Sequence, residues 1–145
     1  MQLEKLSEGN IDAFVQLVLE LWPDCTFDEE YEYYGQLMSA ENHCCYLASN
    51  GNKYVAFIHL TLRTDYVEGA DTSPVAYVEG LYVTPAYQQQ GLAKKLMGVG
   101  EEWGREKGCK ELASDTELSN SASIDFHKGF GFREANRVVC FIKEL

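Results

Sequence analysis

Between Tyr77 and Leu96 the chain reads YVEGLYVTPAYQQQGLAKKL. The first seven residues are rich in β-branched and aromatic side chains and predict a strand, Tyr77 to Val83. That strand runs through Pro85 into three consecutive glutamines, and a helix begins at Gly91. A polar loop that feeds a helix leaves several backbone N–H groups without partners. Together with the positive end of the helix dipole, they can hold a phosphate. The spacing Gln88-x-x-Gly91-x-Ala93 is not the glycine pattern of a dinucleotide fold. Nor is it a P-loop, which needs Gly-Lys followed by Ser or Thr.

The chain has 145 residues, enough for one domain with a real core. Its formal net charge of −11 argues against nucleic acid or an anionic membrane as partner. A polycationic small molecule fits such a surface, although acidity also serves solubility. An anionic cofactor would require segregated charge, with Lys94 and Lys95 near its phosphates. No stretch approaches the roughly 20 apolar residues of a membrane span. The start, MQLEKLSEGN, has no apolar core of a signal peptide, so a cytoplasmic location is expected. Five cysteines, an odd number with no C-x-x-C pair, suit reduced thiols in that compartment. His43, His59 and His127 show no ligand spacing with them, so no metal is expected.

In order, residues 3–6 predict a short strand, and Asn10 is placed to cap a first helix. Ile11, Phe14, Val18 and Leu21 recur along one face of it, and Trp22-Pro23 ends it. Thr26-x-x-Glu29 forms a capping box for a second amphipathic helix marked by Tyr31, Tyr34, Leu37 and Met38. Residues 44–49 and 54–63 bracket Asn50-Gly51-Asn52, a hairpin signal. Residues 64–73 predict a polar loop, longer than most. In the helix after the glutamines, Leu92, Leu96, Val99 and Trp103 face inward and Gly108 closes the end. Gly98, Gly100 and Gly104 each weaken that helix by roughly 1 kcal/mol relative to alanine, which points to close packing on a sheet. Residues 111–115 predict a strand, 120–128 a small helix and 137–143 a terminal strand. The order β-α-α-β-β-β-α-β-α-β predicts an α/β fold around a mixed sheet.

That order, with the Gln88-x-x-Gly91-x-Ala93 loop after the fourth strand and Gly131-Phe132 before the last, resembles the GNAT superfamily of N-acetyltransferases. The resemblance implies a mostly antiparallel sheet over residues 1–145, with splayed fourth and fifth strands flanked by helices. Leu21-Trp22, Asp65-Tyr66-Val67, Thr72-Ser73-Pro74-Val75, Glu79-Gly80-x-Tyr82-Val83-x-Pro85, Ala113-Ser114-Asp115 and His127 resemble the aminoglycoside 6'-N-acetyltransferases within it. It implies transfer of an acetyl group from acetyl-CoA to the 6'-amine of an aminoglycoside, by direct attack in a ternary complex and without metal. Acetylation removes a cation and a donor from the drug, which confers resistance.

On this resemblance, the backbone of Leu81, Tyr82 and Val83 pairs with the pantetheine arm, and one N–H there supplies the oxyanion donor. Pyrophosphate falls on the amides of Gln89, Gln90, Gly91, Leu92, Ala93 and Lys94, with Asn120 a further contact. The family's loop usually carries arginine, so Gln88, Gln89 and Gln90 remove Coulombic help. Glu79, two residues before Leu81, is expected on the same strand face and to bind the substrate ammonium and, directly or through water, accept its proton. Asp115 is the second carboxylate, while Trp22 and Tyr66 wall the sugar rings. Asn136 stands where relatives often place an acidic contact, which can come from a partner subunit in a homodimer. His127 is a candidate to protonate the leaving thiolate. Acetylation of a polyamine or a protein amine, or non-catalytic binding of acyl-CoA, remain open as alternatives.

Overall fold

Strand β3 (Tyr54–Arg63) is buried along most of its length, which requires a helical layer on each face. The computed structural model, which describes residues 1–145, supplies both. β1 (Gln2–Lys5), β2 (His43–Ser49), β3, β4 (Val75–Val83) and β5 (Leu112–Ser114) form one sheet in that order. Pairing is antiparallel through β4 and parallel between β4 and β5. α1 (Ile11–Leu21) and α2 (Phe27–Leu37) cover one face; α3 (Leu92–Glu106) and α4 (Ser121–Phe130) cover the other.

Alternation along β3 divides the core between these layers. Phe57 packs with Phe14, Val18, Tyr34 and Leu47 under α1 and α2, while Ile58 and Leu60 pack with Val78, Leu96 and Met97 under α3. Each such side chain contributes about 1.5–3 kcal/mol by leaving water. Two helix glycines let α3 approach the sheet. A Cβ on Gly100 would lie 2.9 Å from Leu60 Cδ2, and one on Gly104 3.0 Å from Ala76 Cβ. Gly98 faces open space, and nothing in the structure accounts for it.

Several details differ from the sequence-based expectations. Asn10 precedes α1, but its side chain does not cap it. It braces the entry instead, accepting from Ser7 N at 2.8 Å and donating to the Lys5 carbonyl at 3.0 Å. Thr26 does cap α2, accepting from Glu29 N at 3.4 Å. On α3 the fully buried positions include Met97 and Gly100, whereas Val99 and Trp103 are half-buried. The terminal strand expected over 137–143 is absent. A strand needs a ladder partner, and this segment has none within its own chain. Val138, Val139, Phe141 and Ile142 are exposed as a result.

Parallel pairing of β4 with β5 covers only Ala76 to Val78 against Leu112 to Ser114. Beyond Val78, β4 continues to Val83 with its β5-side edge open. That divergence positions the site.

Candidate active site

Glu79 is the first β4 residue past the last paired position, Val78, and Asp115 is the first residue past Ser114. The two carboxylates therefore stand at the mouth of the same divergence. A β-bulge aims Glu79. His59 pairs with Gly80 and Leu60 with Val78, leaving Glu79 as the extra residue. The bulge changes the alternation, so Glu79 and Leu81 do not share a face as expected. Leu81 packs on the α3 layer, whereas Glu79 bonds Thr61 on the side of α1 and α2.

Glu79 is half-buried and well satisfied. Thr61 Oγ1 donates to its Oε2 at 2.7 Å, Arg63 Nε to Oε2 at 2.9 Å, and Arg63 Nη2 to Oε1 at 2.7 Å. Burial pushes its carboxyl upward, but the bonds from Arg63 and Thr61 outweigh that and hold it below the usual range. The Arg63 guanidinium also lies 3.5 Å over the Tyr77 ring. Tyr77 in turn donates its hydroxyl proton to Asp115. A continuous chain, Thr61–Glu79–Arg63–Tyr77–Asp115, thus joins the two carboxylates.

Trp22, at the end of α1, is drawn over this site. A Cβ on Gly80 would lie 2.7 Å from Trp22 Cη2 and 3.3 Å from Phe57 Cε2, so only glycine admits the indole. Trp22 leans edge-on against Phe57, with ring centroids 6.4 Å apart, and keeps part of its surface open. Tyr82 lies on the same side of the sheet near Phe57. Burial and a bond to Glu20 push its phenol up to about 12.

Tyr66 is exposed on the loop after β3. Its hydroxyl donates to Glu68 at 2.6 Å, and Asn136 Nδ2 donates to the same carboxylate at 2.5 Å. Glu68 thus sets a carboxylate against Asn136 within one chain. Bonds from Tyr66 and Asn136 hold its carboxyl below the ordinary value. Glu111 anchors the loop by accepting from the amides of Asp71 and Thr72 at 2.9 and 2.8 Å. Glu68, Tyr77, Asp115 and Asn136 all line one groove of about 660 Å³ beside β5; Trp22 and Glu79 lie outside it.

His127, on α4, lines that same groove. Its Nδ1–H donates to the Ser123 carbonyl at 2.7 Å and its Nε2 accepts from Ser114 Oγ at 2.8 Å, so both ring nitrogens are occupied. His59 is a core residue, bonded to Tyr34 at 3.2 Å and His43 at 3.0 Å, and burial pushes its imidazole down to about 4.

The glutamine loop forms an anion cradle at the start of α3. Gln89 and Gly91 adopt φ of 60° and 82°, which turns successive amides toward one side. No side chain caps α3, and the amides of Gln89 through Lys94 donate no hydrogen bond. Six free N–H groups fit a pyrophosphate. Gln88 spends its side-chain amide on the Val83 carbonyl at 3.0 Å and Gln90 on that of Ala86 at 3.3 Å, which fixes the loop. Lys95 reaches the Met1 carbonyl at 3.1 Å, beside a small hollow that includes Gln90, Gly91 and Leu92. The Asn120 side-chain oxygen caps α4 through Ser123 N at 3.1 Å and leaves its NH2 free.

The sequence analysis missed Thr61, Arg63, Tyr77 and Glu68. A usable signal existed for two of them. His59, Thr61 and Arg63 are polar at alternate positions of a strand otherwise apolar, which marks one face as a polar site.

Comparison with known proteins places this geometry. The model of the acetyltransferase (GNAT) family matches residues 4–132. The chain belongs to this family. It is 33% identical to the aminoglycoside N(6')-acetyltransferase type 1 of Salmonella typhimurium over 99% of both chains. Identity to the protein of that name from Serratia marcescens is 36%, over 94% of both. The solved structure of AAC(6')-Iy in complex with the bisubstrate analog CoA-S-monomethyl-acetylneamine superposes with a TM-score of 0.95. Its sequence is 31% identical, with 99% of this chain and 98% of that one covered.

Proposed function

We propose that this chain acetylates the 6'-amine of aminoglycosides with acetyl-CoA, acting as one domain and conferring resistance to the drug. The observation that carries this reading is the pair Glu79 and Asp115 at the divergence of β4 and β5, linked through Arg63 and Tyr77, with the Trp22 indole over the neighbouring Gly80. Two carboxylates and an aromatic wall suit a multiply charged amino sugar better than a single amine. Full-length similarity to aminoglycoside N(6')-acetyltransferases supports the same substrate.

The free amides of Gln89 to Lys94 hold the pyrophosphate, Asn120 adds a donor, and the open edge of Leu81 to Val83 receives the pantetheine arm. Acetyl-CoA supplies the acyl group as a thioester. Glu79 and Asp115 receive amino groups of the acceptor, and Trp22 and Tyr66 flank its rings. Glu68 and Asn136 lie beside Asp115 in the groove and extend the acidic surface. The amine nitrogen bonds to the acyl carbon, the carbon–sulfur bond breaks, and the amine's proton passes to water. His127 lines the groove that holds Asp115, and its Nε2 accepts from Ser114; it can protonate the thiolate only after Ser114 is released and Nε2 takes up a proton to give the imidazolium. A backbone N–H of β4 stabilises the developing oxyanion.

The enzyme is a cytoplasmic homodimer in this reading. Residues 137–143 are β-branched, aromatic and exposed, and the free edge of β5 borders a groove lined by Val67, Val75, Leu112 and Ile124. This chain's own Val138 and Val139 line part of that groove, and the tail of a second copy is proposed to pair with the β5 edge beside them, because an unpaired apolar strand needs a ladder partner. The supporting surface is symmetric, since each chain offers both tail and edge.

A thiol-release assay tests the reaction. Turnover is expected with kanamycin or tobramycin, and none with an analogue bearing a 6'-hydroxyl. Turnover confined to spermidine or a lysine peptide would replace the substrate. Silence throughout, with acetyl-CoA still bound, would leave a binding module.

A further inference from the structure

The strongest unexplained arrangement is the resident guanidinium on Glu79. Arg63 grips the carboxylate with two prongs, and Thr61 takes a third position on it. Three donors leave Glu79 a single open acceptor direction, on Oε1. An amine that reaches that oxygen must come close to the guanidinium, which is itself held against the Tyr77 ring.

The groups facing Glu79 sort by charge. His59 of β3 and His43 of β2 are kept neutral by burial, and Tyr33 of α2 and Tyr77 of β4 are phenols pushed above their ordinary range. Asp115 lies one residue further, behind Tyr77. Arg63 is therefore the one permanent cation at the Glu79 carboxylate, and its bond there pushes its own proton affinity up further.

We propose that Arg63 is a positioning residue for acetyl transfer: it fixes Glu79 with one oxygen open to the acceptor, and its charge makes the bound acceptor shed its proton and stand as the neutral amine. An ammonium is not a nucleophile, and a like charge beside it disfavours the protonated form. Glu79 then orients the amine while the proton leaves to water. Arg63 trades some affinity for ammonium against reactivity of the amine. The inference rests on the proposed acetylation of an aminoglycoside amine.

The test is the pH dependence of kcat, which reports ionisations in the ternary complex, beside that of kcat/KM, which reports the free species. In Arg63→Gln the acid limb of kcat should move up by about one pH unit. At pH 7 kcat should fall about tenfold and recover by about pH 9, while KM for the acceptor falls. The acid limb of kcat/KM should stay in place. Arg63→Lys, which keeps the charge but loses the fork, should leave the kcat limb near that of the wild type. A kcat limb that does not move in Arg63→Gln, with CoA affinity intact, overturns the inference. A second measurement needs no variant. Calorimetry of kanamycin binding to the CoA complex, in two buffers of different ionisation enthalpy, should show proton release at pH 7. The 6'-hydroxyl analogue should release fewer protons, and equal release by both compounds overturns the inference as well. Absence of wild-type turnover would remove the functional reading itself; turnover with an unmoved limb removes only the role of Arg63.

Discussion

The indole of Trp22 lies over Gly80 so closely that a Cβ there would sit 2.7 Å from Cη2. Gly80 is also the residue that pairs with His59 beside the bulge at Glu79. One glycine thus allows an aromatic wall and a carboxylate to meet. Gly80→Ala should lower stability by about 1–3 kcal/mol, the usual cost of overpacking. It should raise KM for the acceptor several-fold, because the indole must withdraw. Affinity for CoA, held in the proposed function mainly by the amides of Gln89 to Lys94, should fall less than affinity for the acceptor. An unchanged acceptor KM would detach Trp22 from the substrate.

Glu79→Gln should lower kcat/KM by about 10- to 1000-fold, the range for loss of a charged anchor or base. Steady-state kinetics at neutral pH give the answer, and wild-type rates would take Glu79 out of the mechanism.

If Asp115, held by Tyr77, anchors an amino group as proposed, Asp115→Asn should raise KM more than it lowers kcat. The opposite split would assign Asp115 to the chemical step.

His59 makes stability fall on the acid side of neutrality. Its folded value, about 4, lies below the ordinary 6.5. Between those values the unfolded chain binds the extra proton, so stability falls as pH drops from 6.5 toward 4. The slope is at most about 1.4 kcal/mol per pH unit, up to about 3 kcal/mol in all. Denaturant melts at pH 7, 6 and 5 measure it, and a flat profile would show His59 protonated inside the fold.

If the proposed dimer forms through the tail, removal of residues 138–145 should leave a monomer in sedimentation equilibrium. A persistent dimer would place the interface elsewhere.

Much of this was readable in the residues. The strand–loop–helix around Gly91 is local, written in turn residues and hydrophobic rhythm, and its anion cradle followed. Glu79, a carboxylate amid the apolar run of β4, and Asp115, after β5, stand out through the family resemblance rather than by pattern alone. The partners of Glu79 did not, because Arg63 lies sixteen positions away and only strand register brings it near. The bulge defeated the alternation rule, which presumes an unbroken ladder, and so misplaced Glu79 relative to Leu81. Glu68 looked like any solvated acid in a polar loop. The strand over 137–143 was read from composition, and composition does not say where a ladder partner is.

In the proposed reading the cradle at Gln89–Lys94 offers amide dipoles and no arginine, whereas the acceptor side offers the carboxylates of Glu68, Glu79 and Asp115. The two substrates should therefore answer ionic strength differently. Added salt screens the charge pairs that draw in a polycation and weakens its binding steeply, but has little hold on short contacts between phosphate and backbone N–H. As salt rises, the enzyme should lose its drug well before it loses its acetyl donor.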